Sequence, residues 1–74
     1  MTIQEKIRIL LVRRGNMSEA ELARRLGVLP QNLNRKMRAG KFTSADLEAI
    51  ASVLNCTVAQ PAPKFQMNDT GEEI

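Results

Sequence analysis

Glycines at positions 15, 27 and 40 divide the first half of the chain into segments of about twelve residues. Each segment carries apolar residues at helical spacing, and each glycine stands where that pattern stops. The first two segments open with Thr2-Ile3-Gln4-Glu5 and Ser18-Glu19-Ala20-Glu21, which have the spacing of a capping box. The punctuation therefore predicts short helices over about 3–14 and 19–26 rather than strands or one long helix.

Two further helices follow from local signals. Pro30 suits a first helical turn, where its missing N–H group costs nothing, so a third helix is expected over about 30–38. Thr43-Ser44-Ala45-Asp46 begins a fourth helix, whose apolar stripe should end near Asn55. The fold class predicted for these 74 residues is a compact all-α bundle of four to five helices. A core of this size contributes only a few kcal/mol of net stability, so dimerisation would help.

The composition changes after Cys56. Pro61 and Pro63 stop any helix, and residues 64–74 alternate apolar and polar side chains around turn residues. This pattern is equally compatible with a short β-hairpin, to which 56–58 would add a strand, and with a disordered acidic tail. We therefore divide the chain into a helix-turn-helix domain over 1–56 and a C-terminal extension over 57–74.

Charge is distributed unevenly along the chain. Residues 1–41 contain ten Lys and Arg and three Glu, a net charge of +7, whereas residues 42–74 contain one Lys and five Asp and Glu, a net charge of −4. A basic half favours a polyanionic partner, and the acidic half tempers non-specific binding. Phe42 and Phe65 are the only aromatic residues, too few to stack the bases of single strands. Double-stranded DNA is therefore the predicted partner.

Several functional classes are disfavoured. The chain has one cysteine and no histidine, which excludes an intrachain disulfide and any ordinary zinc site, and Cys56 is predicted to be a buried apolar residue. We find no phosphate-binding glycine loop or paired carboxylates, and so predict neither an enzyme nor a cofactor. We also expect no small-molecule ligand, because a second domain of suitable size is missing. The longest apolar run, Ile9 to Val12, is too short to span a membrane and no signal-peptide pattern occurs, so a cytoplasmic location is predicted.

The second and third segments have the requirements of a helix-turn-helix. The two helices must cross closely, which calls for a small side chain in the first and a turn residue that tolerates positive φ. Ala23 and Gly27 meet those demands, and Leu33 supplies an apolar contact from the third segment.

The outward side of the third helix is polar. Gln and Asn can bond adenine and Arg can bond guanine in the major groove, with each good pair contributing about 1–3 kcal/mol of discrimination. The outward residues are Gln31, Asn32, Asn34, Arg35 and Arg38, and two amides and an arginine along one face suit such contacts, although an ordinary solvated helix face would also be polar. Basic residues at helix edges and ends are better placed for phosphates. These candidates are Arg24, Arg25, Lys36, Arg38 and Lys41.

Leu22-Ala23-Arg24-Arg25-Leu26-Gly27-Val28, followed by Gln31-Asn32-Leu33, resembles the lambda-repressor-like Cro/cI (XRE) helix-turn-helix family. The likeness covers roughly residues 3–55. It implies a bundle of about five short helices whose third helix enters the major groove, and dimers that bind operator DNA to regulate transcription. By position, it assigns Gln31, Asn34 and Arg35 to base edges. It places Asn32, Lys36 and Arg38 nearer the DNA backbone.

The sequence departs from the family pattern at three places. Glu19 occupies the position where the family usually has a Gln that contacts a phosphate, and a carboxylate would repel that phosphate. Leu29-Pro30 stands where the family usually has a Ser or Thr that caps the third helix. A helix without that cap loses about 1 kcal/mol of stability. The last inward residue of this helix is Met37, which makes the closing turn one residue longer than usual.

The leading hypothesis is a sequence-specific DNA-binding regulator of transcription, most simply a repressor that occludes a promoter. The sequence leaves its oligomeric state open, with a homodimer as one option. The dimer surface would be either the fourth helix with Val53 and Val58, or the tail strand around Phe65, Met67 and Ile74. The alternative is a protein-interaction module that has kept the helix-turn-helix fold and lost DNA binding. Glu19 and the acidic tail would be signs of that loss.

Overall fold

The computed structural model describes residues 1–60 and 62–74. In these residues four helices are followed by a two-stranded sheet, which confirms the predicted helical bundle. Pro61, one of the two predicted helix breakers, lies outside the described residues. The elements are α1 (Ile3–Arg13), α2 (Glu19–Leu26), α3 (Pro30–Ala39), α4 (Ser44–Val53), β1 (Cys56–Ala59) and β2 (Lys64–Met67).

Side-chain caps begin three of the four described helices. The capping boxes of Thr2 with Glu5 and of Thr43 with Asp46 are complete. The box predicted for Ser18 is only half formed: the Glu21 backbone N–H donates to Ser18 Oγ at 3.1 Å, but the Glu21 carboxylate bonds elsewhere. Helix α3 begins at Pro30, and its N-cap residue Leu29 makes no side-chain cap hydrogen bond. The sequence therefore located these helix starts correctly, but the Ser18 box was wrong in its second half.

Glycines in the left-handed region end α2 and α3. Gly27 has φ +74° and Gly40 has φ +66°, values that side chains with a Cβ rarely adopt. A Cβ added to Gly40 would lie 2.8 Å from Gln4 Oε1, so the end of α3 also fits closely against the start of α1. Gly27 and Gly40 therefore determine where the chain leaves α2 and α3.

One hydrophobic core joins all the elements. Phe65, on β2, is fully buried against residues from the helices, and Cys56 is a buried free cysteine, as predicted. The remaining buried residues are Ile7, Leu10, Leu11, Leu22, Ala23, Leu33, Met37, Leu47, Ile50, Ala51, Leu54 and Met67. The hairpin thus completes the core of the helical bundle.

The described residues of the C-terminal extension, together with Cys56, form a two-stranded hairpin, which is one of the two alternatives that the sequence left open. β1 and β2 are antiparallel, with Cys56 opposite Met67. On its other side β2 pairs with the last residues, because the Phe65 amide donates to the Ile74 carbonyl at 2.9 Å and the Ile74 amide donates back at 2.8 Å. Phe65 and Met67 are buried within their own chain, so their side chains belong to the core. The dimer contact suggested for the tail strand around Phe65, Met67 and Ile74 stays a prediction.

Basic residues of α1 and its cap attach this acidic tail to the bundle. The Arg14 guanidinium donates to both carboxylate oxygens of Asp69 at 2.8 and 2.9 Å. It also donates to the carbonyl oxygens of Leu54 and Asn55, at 2.8 and 3.2 Å. Arg13 pairs with Glu72. The ion pairs therefore hold the turn after β2 against the ends of α1 and α4.

We expect the Arg14–Asp69 pair to make stability depend on pH in the acid range. Its hydrogen bonds from Arg14 hold the pKa of Asp69 below its ordinary value of 3.8. A depressed pKa stabilises the folded state at pH values above 3.8, and this contribution is lost as the pH falls through the folded-state pKa. Asp69→Asn should therefore melt at a lower temperature than the wild type at pH 7, and the difference should shrink below pH 3.8.

Thermal unfolding followed by circular dichroism from pH 7 to pH 2 would measure this. Glu48→Gln is the control, because Glu48 is exposed and has no ion pair among the described residues. It should change the melting temperature at pH 7 less than Asp69→Asn does. Equal melting temperatures for Asp69→Asn and wild type at pH 7 would contradict a structural role for the pair.

Candidate nucleic-acid interface

The packing of α2 against the apolar side of α3 orients the polar face of α3 toward solvent. Ala23 is fully buried on α2, and Leu33 and Met37 are buried on α3 at 3% and 1% exposure. A methyl group at Ala23 permits a close approach of the two helices, and the φ of +74° at Gly27 lets the chain reverse between them. Because two inward residues fix the rotation of α3, the opposite side of that helix faces solvent.

Gln31, Asn34 and Arg35, the predicted base-reading residues, are all exposed on that outward side. Their spacing of three and four residues aligns them in one row along α3, and the exposed Arg38 lies three residues beyond Arg35, near the end of the helix. Arg35 Nη2 donates to Asn32 Oδ1 at 3.3 Å, a long contact between two exposed side chains. The structure thus brings two amides and two guanidinium groups together on one solvent-facing surface.

The predicted phosphate-contacting residues divide according to their partners in the protein. Arg24 and Arg25 both pair with Glu21, at 2.7 and 2.9 Å. Lys36 pairs with Asp46 of α4 at 2.8 Å. Asn32 accepts from Arg35, as described above. The exposed residues Arg38 and Lys41 form no ion pair within 1–60 and 62–74.

Glu21 and Asp46, the carboxylates that pair with these basic residues, are stabilised in the charged form. Hydrogen bonds from Arg24, and then from Arg25, lower the pKa of Glu21. The bond from Lys36, followed by that from the Thr43 backbone, lowers the pKa of Asp46. Three of the five predicted phosphate-binding cations therefore already have an anionic partner in the folded chain.

Glu19 begins α2 and is half-buried. Its Oε1 atom is inaccessible to solvent and has no hydrogen-bond partner in the described part of the chain. The departure from the family pattern thus places a carboxylate at the N-terminus of the helix, where the helix dipole favours negative charge. That dipole gives Glu19 a structural reason to occupy this position.

A largely apolar groove of about 400 Å³ is lined by residues of α2, α3 and α4, and Asn32 and Arg35 of the polar face are among them. Leu26, Val28, Phe42 and Ala49 contribute apolar surface to it, and Lys36 lies among its polar residues. Val28 and its neighbour Leu29 are exposed by 43% and 58%. The turn of the helix-turn-helix therefore presents apolar surface beside the polar row.

The described residues contain no cluster of three or more His, Cys, Asp or Glu residues that could hold a metal ion. None of the described helices has the length and apolar character needed to cross a membrane.

A family model described as the Cro/C1-type HTH DNA-binding domain matches residues 6–60. The chain belongs to this family. The match runs from the first turn of α1 past the end of β1 and includes the whole of α2 and α3. Searches of curated proteins and of solved structures gave no match.

Membership of the Cro/C1-type family makes this chain a DNA-binding domain of the kind found in transcription regulators. It confirms the resemblance seen in the Leu22 to Leu33 segment, and it identifies DNA as the polyanion that the basic half favours. The structure adds a detail of the fold, since a β-hairpin follows α4 where the resemblance implied a bundle of about five helices.

The carboxylates that hold these basic residues, Glu21 and Asp46, were not predicted from the sequence. Glu21 lies three and four residues before Arg24 and Arg25, a spacing that places oppositely charged side chains side by side on a helix. This signal was present in the sequence. The Lys36–Asp46 pair joins two helices, so it depended on the packing of α3 against α4 and had no local signal.

The uncapped start of α3 leads to a stability prediction. Leu29 has the extended backbone of an N-cap residue, with φ −72° and ψ 140°, but its side chain cannot accept a hydrogen bond. Leu29→Ser should therefore increase the free energy of unfolding by about 1 kcal/mol, because serine can accept from an N–H group of the first turn.

Urea unfolding of the wild type, Leu29→Ser and Leu29→Ala would test this. The alanine variant controls for the loss of an exposed apolar side chain, and it should show no comparable gain. If serine and alanine gave the same free energy of unfolding, the missing cap would not limit stability.

Proposed function

We propose that this Cro/C1-type domain is a sequence-specific regulator of transcription, most simply a repressor that occludes a promoter, with α3 in the major groove. The observation that carries the proposal is the exposed row of Gln31, Asn34 and Arg35 on α3. This row lies inside the segment that matches a DNA-binding family. An α-helix fits the major groove, where each base pair presents a distinct pattern of donors and acceptors.

Each residue of the row has a role that follows from its chemistry. Gln31 and Asn34 can each offer an amide donor and an acceptor to adenine N7 and N6, and Arg35 can donate to guanine O6 and N7. Arg35 can leave Asn32 at small cost, because the contact between them is long and exposed. This row is the sequence-reading part of the proposed interface.

The phosphate contacts would position the helix without reading sequence. Arg38 and Lys41 are the primary candidates, since both are exposed at the end of α3 and form no ion pair in the described part of the chain. Asn32 would contribute a contact from a neutral side chain. Lys36 would contribute a contact from a cation that already pairs with Asp46. Arg24 and Arg25 would act from α2, in exchange with their carboxylate partner.

A homodimer would extend the readout. Helix α3 has ten residues, about 15 Å of helix, so a single copy can contact only a few base pairs. Two copies with their recognition helices about 34 Å apart would read a palindrome. Val53 and Val58 are half-buried in the single chain and remain candidates for the contact between copies.

The apolar groove beside α3 favours a second candidate function, docking of a partner protein. Its apolar lining and the exposed Val28 and Leu29 form a surface that duplex DNA would not require. A partner bound there would lie next to the DNA-reading row. This function ranks second because the basic residues and the family both favour DNA.

Two arginine substitutions separate sequence reading from phosphate binding. Arg35→Ala should weaken binding to the preferred sequence and relax the choice of base at one position, a loss of roughly 1–3 kcal/mol in discrimination. Arg38→Ala should weaken binding to all duplexes alike and reduce the salt slope by about one unit. The measurement is selection of a preferred duplex from a random pool, followed by fluorescence anisotropy at several salt concentrations.

Lys64→Ala is the charge-matched control, because Lys64 lies on β2 and pairs with Glu73. It removes the same charge outside α3 and should change affinity and salt slope less than Arg38→Ala. Unchanged binding in both arginine variants would refute the proposed interface. Binding to DNA with no salt dependence would refute the phosphate contacts.

A further inference from the structure

Glu21 uses both of its carboxylate oxygens to bind two arginines. Its Oε1 accepts from Arg24 Nε at 3.1 Å and from Arg24 Nη2 at 2.7 Å. Its Oε2 accepts from Arg24 Nη2 at 2.7 Å and from Arg25 Nε at 2.9 Å. This is the forked geometry with which a guanidinium binds a carboxylate or a phosphate.

The carboxylate makes these bonds in place of a local alternative. The spacing from Ser18 to Glu21 suits a complete capping box, in which Glu21 would accept from the Ser18 backbone N–H. Only the Ser18 half of that box forms, while the boxes at Thr2 and Thr43 are complete. The side chain of Glu21 is thus directed to the arginines and away from the start of its own helix.

The three side chains are accessible to a large ligand. Arg24 and Arg25 are exposed by 77% and 53%, and Glu21 by 29%. Such exposed ion pairs contribute little to stability and exchange readily. A DNA phosphate can therefore displace the carboxylate. The phosphate gains less binding free energy from each of these arginines than it would from an arginine without a carboxylate partner.

We propose that Glu21 limits the sequence-independent affinity for DNA by competing with backbone phosphates for Arg24 and Arg25. The inference rests on the proposed function. The charges of Glu21, Arg24 and Arg25 sum to +1, whereas the two arginines alone would present +2. Glu21 contacts no base in this account. It acts as an internal substitute for phosphate and lowers binding to the operator and to other duplexes by the same factor.

The test compares Glu21→Gln with Glu48→Gln. Both substitutions remove one negative charge and preserve side-chain size, but Glu48 is exposed on α4 beside β1. Glu21→Gln should bind a random-sequence duplex roughly three- to tenfold more tightly than the wild type at about 0.1 M salt. Its salt slope should be steeper by about one unit. Glu48→Gln should change affinity by less than about twofold.

Two further measurements separate competition from a structural effect of the helix salt bridge. In an Arg24→Gln, Arg25→Gln background, adding Glu21→Gln should no longer tighten binding, because the competed groups are absent. The melting temperature of Glu21→Gln shows whether the variant remains folded under the binding conditions. A folded variant that gains affinity equally for operator and random duplex matches the proposal.

Other outcomes would overturn it in distinguishable ways. If the wild type binds DNA with a salt slope and Glu21→Gln behaves like Glu48→Gln, the competition is refuted while the proposed function survives. If Glu21→Gln gains affinity only for the preferred duplex, Glu21 affects base reading and the competition is again refuted. If the wild type binds no duplex at any of the salt concentrations used to measure the salt slope, the proposed function itself fails.

Discussion

The packing of α2 against α3, with Ala23 fully buried on α2, is the constraint on which the candidate interface depends. A larger side chain there would force the helices apart and change the direction of α3, because a packed core accommodates added volume poorly. Gly27 permits the reversal between the helices, with φ +74°. Leu33 and Met37 then fix the rotation of α3 about its axis. These inward contacts, rather than any property of the polar residues themselves, leave Gln31, Asn34 and Arg35 facing solvent.

Carboxylates divide the basic residues into groups with different tasks. Arg13 and Arg14 attach the acidic tail to the bundle through Glu72 and Asp69. A second group on α2 and α3 is held by carboxylates of the same helix or of α4. The net charge of the first 41 residues therefore overstates the charge that faces DNA. Arg38 and Lys41, which no carboxylate holds in the described residues, contribute most directly to the proposed phosphate contacts.

Much of the helical fold could be predicted because its signals are local. Helix α2 spans Glu19–Leu26 as the cap at Ser18 and the stop at Gly27 indicated, and α3 extends one residue past its predicted end to Ala39. The state of the tail could not be decided from its sequence, because it depends on burial of Phe65 and on the distant Arg14–Asp69 pair. On α3, the inward spacing of Leu33 and Met37 was sufficient to predict that the row of Gln31, Asn34 and Arg35 is exposed. The partners of the basic residues were not predicted, since Lys36 meets Asp46 only after two helices have packed.

The proposed function requires that α3 contacts DNA. The most direct measurement follows each backbone amide by NMR while isotope-labelled protein is titrated with a mixed-sequence duplex at two salt concentrations. The account predicts shifts centred on residues 31–38, with smaller shifts around Arg24 and Arg25, and all of them should weaken at the higher salt concentration. Shifts confined to the hairpin, or none in α3 at low salt, would contradict it and favour a partner protein over DNA.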